Sequence, residues 1–268
     1  MSYKEYGKAA ELQGEKRASQ WLEALRKPRG NLRANGAASI PHVERVQSTT
    51  ISVVIRTLNE AKMLGLVLES LRSQTLQPRE VIIVDSGSTD GTVRIAEEHG
   101  ATIIPIAREQ FSYGRALNFG FAASGAEIVV ALSGHAVPTD REWMRKLLQN
   151  FQNPRVAAVA SRLIPYPNTA LHNHWLSLPF YLHRAHRTND LWLFWNTATA
   201  YRRDSWSQLP FDEEMRGCED REWALRAIKR GFEVAYEPEA TVWHSHDESY
   251  GKFFERVIFT TKMSHKYR

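Results

Sequence analysis

The chain has little cysteine, no long apolar run and no strong excess of one charge. Cys218 is the single cysteine in 268 residues. An intramolecular disulfide and a thiolate metal cluster are therefore excluded, and a reducing compartment is the natural setting. No uninterrupted apolar stretch approaches the roughly 20 residues that cross a bilayer, and Met1 to Arg17 is polar rather than signal-like, so a cytoplasmic protein is expected. Thirty-five Lys and Arg against 30 Asp and Glu leave a net charge of +5, spread along the chain. That balance does not imply nucleic acid, and it suits an anionic small ligand or an anionic membrane surface equally. Internal repeats and low-complexity segments are also missing.

Hydrophobic residues make up 43% of the sequence, enough for a substantial core without staples. Residues 1–48 differ from the rest. Leu12, Trp21, Leu22 and Leu25 recur at helical spacing and Pro28-Arg29-Gly30 ends the pattern, so a helical arm and linker are expected before a main domain at 49–268. The arm suits either a membrane or partner contact or simple packing on the domain. From Ile51 onward, β-branched runs (Ile51–Ile55, Val81–Val84, Thr102–Ile106, Glu127–Leu132, Val156–Ala160) alternate with helical patterns, which predicts a mostly parallel sheet with right-handed crossovers. Thr139 is placed to cap the helix containing Trp143, and short strands are expected around Val234 and Val242.

The stretch from Ile82 to Thr92 is a strand-to-loop-to-helix junction. In an open α/β sheet, ligands bind at the carboxyl ends of strands, where Asp85 falls, while Asp90 falls at the N-cap of the next helix. The same stretch also suits an ordinary capped turn. Arg115 and Asn118 lie three apart at a helix start and share a face. Eight tryptophans and ten histidines are the other departure from average, several of them in the second half.

Four segments in order resemble a family 2 glycosyltransferase of the GT-A fold, over about residues 50–250. They are Val53-Val54-Ile55 with Thr57-Leu58-Asn59-Glu60, Val84 to Thr92, Gly114 to Gly120, and Phe211-Asp212-Glu213 with Glu219-Asp220-Arg221-Glu222. The later sequence is similar to the subgroup that includes bacterial rhamnosyltransferases. The resemblance implies a three-layer α/β/α sandwich with a mostly parallel, Rossmann-like sheet. It also implies an inverting transferase that moves a sugar from a nucleotide diphosphate donor to an acceptor hydroxyl. Thr57, Asn59 and Glu60 would line the nucleotide end, Asp85 would contact base or ribose, and Arg115 and Asn118 would reach phosphate or ribose. Asp220 would be the catalytic base, with Glu219 assisting. As plain sequence, both acids also suit charge compensation at a helix start.

One departure stands out. Where the family usually carries an acidic Asp-x-Asp-like triplet that binds ribose and a divalent cation, this chain has Ser133-Gly134-His135. Mg²⁺ prefers oxygen ligands in octahedral geometry, so a serine and an imidazole suit it poorly. Either His135 holds a histidine-tolerant ion such as Mn²⁺ with His244 or His246, or arginines and histidines neutralise the diphosphate without metal. His244 matches a histidine that coordinates the ion in related enzymes. Trp192, Trp195, Asn196 and Thr197 would border the acceptor, or pack the core. The histidines from His172 to His186 carry no ligand-like spacing.

Two other functions fit parts of the sequence. A nucleotide-sugar binding protein without activity would explain the lost triplet but not the retained Glu219-Asp220, and a metal hydrolase lacks any His-x-x-x-His pattern. The basic, amphipathic stretch Tyr250 to Arg268 suits peripheral contact with an anionic membrane near a lipid-linked or saccharide acceptor, or docking on the domain.

Overall fold

The computed structural model describes residues 49–167, 169–170, 194–246 and 248–266. The N-terminal arm, Trp192 and the histidines between 172 and 186 lie outside the described residues.

The predicted alternation is present. β1 (Ile51–Thr57), α1 (Ala61–Arg72), β2 (Glu80–Asp85), α2 (Thr92–Glu98) and β3 (Thr102–Pro105) lead to α3 (Tyr113–Ala123) and β4 (Ile128–Ser133). β5 (Val137–Pro138), α4 (Trp143–Gln149), β6 (Val156–Ile164), β7 (Ala198–Arg202) and α5 (Arg203–Gln208) follow. α6 (Glu219–Lys229), β8 (Glu233–Trp243) and α7 (Tyr250–Lys266) complete the order.

All eight strands join one sheet in the order β3-β2-β1-β4-β7-β6-β8-β5. β3, β2, β1 and β4 run parallel, and β8 runs parallel to β6. β7 is antiparallel to β4 and β6, and β5 to β8, so the sheet is mixed beyond β4. Strand order reverses between β1 and β4, the position where open α/β sheets place ligands. Consecutive residues of β1 and β4 are buried regardless of which face they point to. Such burial requires cover on both faces, as in a three-layer α/β arrangement.

α3 packs on β1 and β2. A Cβ at Gly120 would lie 2.3 Å from Val54 Cγ1, so the glycine is what allows this helix to approach the strand. Asn118 is buried and spends its whole hydrogen-bonding capacity on α5 and the segment that follows it. Its Oδ1 accepts from Trp206 Nε1 (3.1 Å) and the Phe211 amide (3.0 Å), while Nδ2 donates to Phe211 O (2.9 Å) and Glu213 Oε1 (3.0 Å). Phe121, Tyr201, Trp206, Phe211 and Trp223 form the core beneath, mostly edge to face.

Two local expectations need correction. Thr139 does not cap α4; its amide and hydroxyl both donate to Thr241 O, at 3.0 and 3.1 Å, tying β5 to β8. The two short strands around Val234 and Val242 are one strand, because a register shift opposite Ser161 and Arg162 absorbs the irregularity at Pro238.

Candidate active site

Register brings the strand ends together at one edge. Thr57 pairs with Asp85 across β1 and β2, and Arg56 pairs with Ser133 across β1 and β4. The Ser133 amide then donates to Thr197 O at 2.9 Å, which brings in the segment before β7.

At the β2 side, Asp85 is 5% exposed and accepts four hydrogen bonds from its own surroundings. Oδ1 takes the hydroxyls of Thr57 (2.7 Å) and Ser88 (2.6 Å), and Oδ2 takes the amides of Gly87 (3.0 Å) and Ser88 (2.9 Å). A carboxylate has about four such positions, so Asp85 and Thr57 here shape the loop. Asn59 sits at φ 56, in the left-handed region that asparagine tolerates, and its Oδ1 accepts from the Thr89 amide at 2.8 Å. Asp90 accepts from the Thr92 amide (3.1 Å) and hydroxyl (2.6 Å) and from the Ala61 amide (3.0 Å), serving the starts of both α1 and α2. Burial works upward on Asp90, but these bonds outweigh it and hold its carboxyl below the usual range. The N-cap of α2 is Gly91, at φ 94, rather than Asp90; Asp90 lies one residue earlier and accepts from the first amides of both helices.

At the β4 side, a cluster of imidazoles replaces the acidic triplet. Glu60 Oε1 lies 2.9 Å from His135 Nδ1, and His135 Nε2 lies 3.1 Å from His244 Nε2. The two rings stack at 4.9 Å, and His246 stands edge-on to His244 at 4.8 Å. One nitrogen from each of the three lies within 4.8 Å of the others. Ser133 Oγ is 3.3 Å from His135 Nδ1, and Tyr166 donates its hydroxyl to His135 O at 3.2 Å. Gly134 makes room: a Cβ there would stand 2.8 Å from Glu60 Cγ. Burial pushes His244 well below the usual imidazole range, helped by His135, His246 and Arg256. Burial likewise lowers His246 to about 4, helped by Arg256 and His135 and opposed by Glu248. Both are neutral at pH 7, with lone pairs free of protons, as metal ligation requires. The donor set fits a divalent cation tolerant of nitrogen, and fits Mg²⁺ poorly.

The third group is the acidic pair opening α6. Cys218, at φ 62, turns the chain so that Glu219 and Asp220 enter the interior at 4% and 8% exposure. Asp220 Oδ2 accepts from the Asn196 amide (2.9 Å) and Oδ1 from the Arg221 amide (2.7 Å). Glu219 Oε1 accepts from Asn196 Nδ2 (3.1 Å) and more loosely from Arg56 (3.5 Å). Tyr201 in turn donates to Asn196 Oδ1 at 2.5 Å. Burial first, then the charge of Asp220, raises Glu219 to about 7 against the pull of Arg56 and Asn196. Burial raises Asp220 too, opposed by the Asn196 amide and Arg221. A buried carboxylate pair with raised affinity for protons is suited to general base chemistry near neutral pH.

Arg115 is engaged by partners within the chain. Its Nε donates to Glu213 Oε2 at 2.7 Å and its Nη1 to Gln110 O at 3.0 Å. With Asn118 buried nearby, this pair braces the 211–213 segment in the present arrangement. Of the residues flanking the expected acceptor side, Asn196 braces the acids and Trp195 lies under the Arg221 guanidinium, 4.5 Å from its ring centre. Arg56 and Tyr201 went unrecognised in the sequence. For Arg56 the available signal was its place beside Thr57 at the end of β1.

This strand edge, with its glycine-bearing loop and buried acidic pair, lies where open α/β sheets bind ligands. The pattern of glycosyl transferase family 2 matches residues 52–209, more than half of the chain, and the chain belongs to that family. It is a glycosyltransferase. The chain is similar to the O-antigen chain rhamnosyltransferase RfbN of Salmonella typhimurium, 29% identical over 78% of this chain and 72% of that protein. It is also similar to the O-antigen chain rhamnosyltransferase WbaN of Salmonella anatum, 31% identical over 71% of this chain and 64% of that protein. Among solved structures, the mannosyltransferase PcManGT from Pyrobaculum calidifontis, in complex with GDP-Man and Mn²⁺, superposes with a TM-score of 0.60. It is 20% identical and covers 91% of this chain and 67% of its own. Glucosyl-3-phosphoglycerate synthase from Mycobacterium tuberculosis, with Mn²⁺ and UDP, gives a TM-score of 0.57 at 23% identity, over 82% of this chain and 81% of its own. Those likenesses establish the GT-A fold.

Proposed function

We propose that the chain inverts the configuration of a sugar while moving it from a nucleotide diphosphate donor to an acceptor hydroxyl. The observation that carries this is the buried Glu219–Asp220 pair, held by Asn196 beside the ends of β1 and β4. Asp220 takes the proton of the acceptor hydroxyl as its oxygen bonds to the anomeric carbon. The bond from that carbon to the diphosphate breaks, and the nucleoside diphosphate leaves on the opposite face. Glu219, raised to about 7 by burial and by the charge of Asp220, binds its proton more tightly than an ordinary glutamate, which lessens the negative charge beside Asp220. Thr57, Asn59, Glu60 and Asp85 shape the nucleotide end. An Asp85 contact to base or ribose would require one of its four present partners to yield, as would a phosphate contact by Arg115, now paired with Glu213.

His135 and His244 would hold a divalent cation, with Ser133 alongside. Such an ion, when bound, would offset the charge of the departing diphosphate. The acceptor we infer is a saccharide or a lipid-linked saccharide of a bacterial surface polysaccharide, supported by the names of the two Salmonella relatives. On α7, Tyr250, Phe254 and Ile258 are exposed at four-residue intervals beside Lys252 and Lys262, which supports peripheral contact with an anionic membrane at the cytoplasmic face. Sedimentation with phosphatidylglycerol vesicles that leaves the protein in solution would remove that contact. No helix among the described residues is long and apolar enough to cross a membrane.

Donor hydrolysis tests the assignment, comparing wild type with Asp220→Asn, each with and without EDTA. Loss of turnover in the variant supports the base, and equal turnover removes it. Loss on chelation supports the cation. An inactive nucleotide-sugar binder would show no turnover in either protein.

A further inference from the structure

The strand edge at His135 holds more than the two expected ligands. We propose that His135, His244 and His246 form an all-imidazole centre that takes a transition-metal dication of the Co²⁺ or Zn²⁺ kind in preference to Mg²⁺, with Glu60 as its orienting carboxylate. This rests on the assignment of a cation to the site, and adds the third ligand, the orienting group and the class of ion.

The geometry carries it in three steps. Glu60 Oε1, 2.9 Å from His135 Nδ1, can only accept, so that nitrogen carries the ring proton and the Nε2 lone pair is left facing inward. Carboxylate, histidine and metal in line is the usual outer arrangement of a metal-bound imidazole. Next, His135 Nε2 and His244 Nε2 stand 3.1 Å apart. Two nitrogens each about 2.1 Å from one ion lie about 3.0–3.4 Å apart at cis-octahedral to tetrahedral angles. Third, His246 adds a nitrogen within 4.8 Å of the other two, its ring edge-on to both at 4.8 and 5.3 Å, so that a small side-chain rotation would bring it to ligand spacing. His244 and His246 are two apart in the segment leaving β8, and the His244 amide donates to Ile164 O at 2.8 Å, fixing one ligand to the sheet.

The surroundings are built for this placement. Gly134 admits the Glu60 side chain, which a Cβ would meet at 2.8 Å, and the Tyr166 hydroxyl fixes the backbone of His135. Nitrogen donors favour later first-row ions, with affinity rising from Mn²⁺ through Co²⁺ toward Zn²⁺, whereas Mg²⁺ keeps to oxygen.

The test is a titration of chelator-treated, untagged full-length protein with Co²⁺, read by visible absorption and calorimetry. The expected result is one ion per chain, displaced by Zn²⁺ and not by a thousandfold excess of Mg²⁺. His246→Gln should weaken Co²⁺ at least about tenfold, and Glu60→Ala about 10–100-fold, the range seen for orienting groups. Metal-free thermal unfolding shows whether each variant is folded, and the Co²⁺-against-Mg²⁺ competition on wild type needs no variant. If Co²⁺ binds but Mg²⁺ displaces it at comparable concentration, or His246→Gln binds like wild type, the all-imidazole centre is wrong while the cation assignment stands. If no ion binds, both are wrong.

Discussion

Asp85 and Asp220 are both aspartates buried at the polar edge of one sheet, 5% and 8% exposed, and their surroundings differ. Asp85 is met by four donors from Thr57, Gly87 and Ser88, with no acid among its partners. Asp220 has two backbone donors and a second buried carboxyl beside it in the chain. Burial costs a carboxylate its hydration, and only hydrogen bonds or opposite charge repay that. The first environment repays it within the loop and leaves a structural anchor. The second leaves the pair short of donors, so that protons bind more tightly than usual. Residue type and depth are the same, and the number of donors separates the two; on the proposed function that number divides scaffold from chemistry.

The contrast breaks most visibly at Asp220. Asp220→Asn keeps one of the two backbone hydrogen bonds through its remaining oxygen, so it should still fold, with a loss of about 1–3 kcal/mol, while turnover falls about 10²–10⁴-fold, the usual worth of a general base. Asp85→Ala should do the reverse in kind: a loss of about 2–4 kcal/mol in urea unfolding, because the buried Thr57 hydroxyl and the half-buried Ser88 donors lose their acceptor. If Asp85→Ala instead left stability intact and abolished donor binding, the division of roles would be inverted.

Glu219→Gln sharpens the comparison through pH. Glu219 titrates higher in the folded chain, about 7 against its usual 4.5. Its contribution to stability is therefore full below about 4.5 and is lost as pH rises through about 7. Glu219→Gln should flatten that slope. His246, lowered to about 4, acts with the opposite sign between about 4 and 6.5, so the difference between wild type and variant is the quantity to read. The smallest effect belongs to Asp90, whose replacement by Ala should cost about 1 kcal/mol, as caps do, with turnover little changed.

The parallel half of the fold was legible because β1, β2 and β4 are continuous β-branched runs, and each following helix carries its own periodicity. The antiparallel half was less so. β5 is two residues long, and β8 runs through Pro238 only because a bulge against β6 absorbs it; both depend on distant partners that local sequence does not encode. The site divides the same way. Asp90 as an acceptor for helix-start amides follows from local chemistry, although Gly91 takes the N-cap position itself, whereas Glu219 and Asp220 look like ordinary helix-start acids until Asn196 and the aromatic core close over them. Asn118 was expected at the ligand side from helical spacing, but the 211–213 segment takes three of its four bonds and Trp206 the fourth. Nothing local announces that return of the chain.

Carboxyl ¹³C NMR across a pH titration, with Glu219→Gln and Asp220→Asn for assignment, tests the central claim most directly. One carboxyl should titrate near 7 and vanish in Glu219→Gln, with a second raised above the ordinary aspartate range assigned to Asp220. If every carboxyl of the chain titrates below about 5, where unperturbed acids lie, the pair is an ordinary helix-start charge cluster and Asp220 loses its claim to the chemistry.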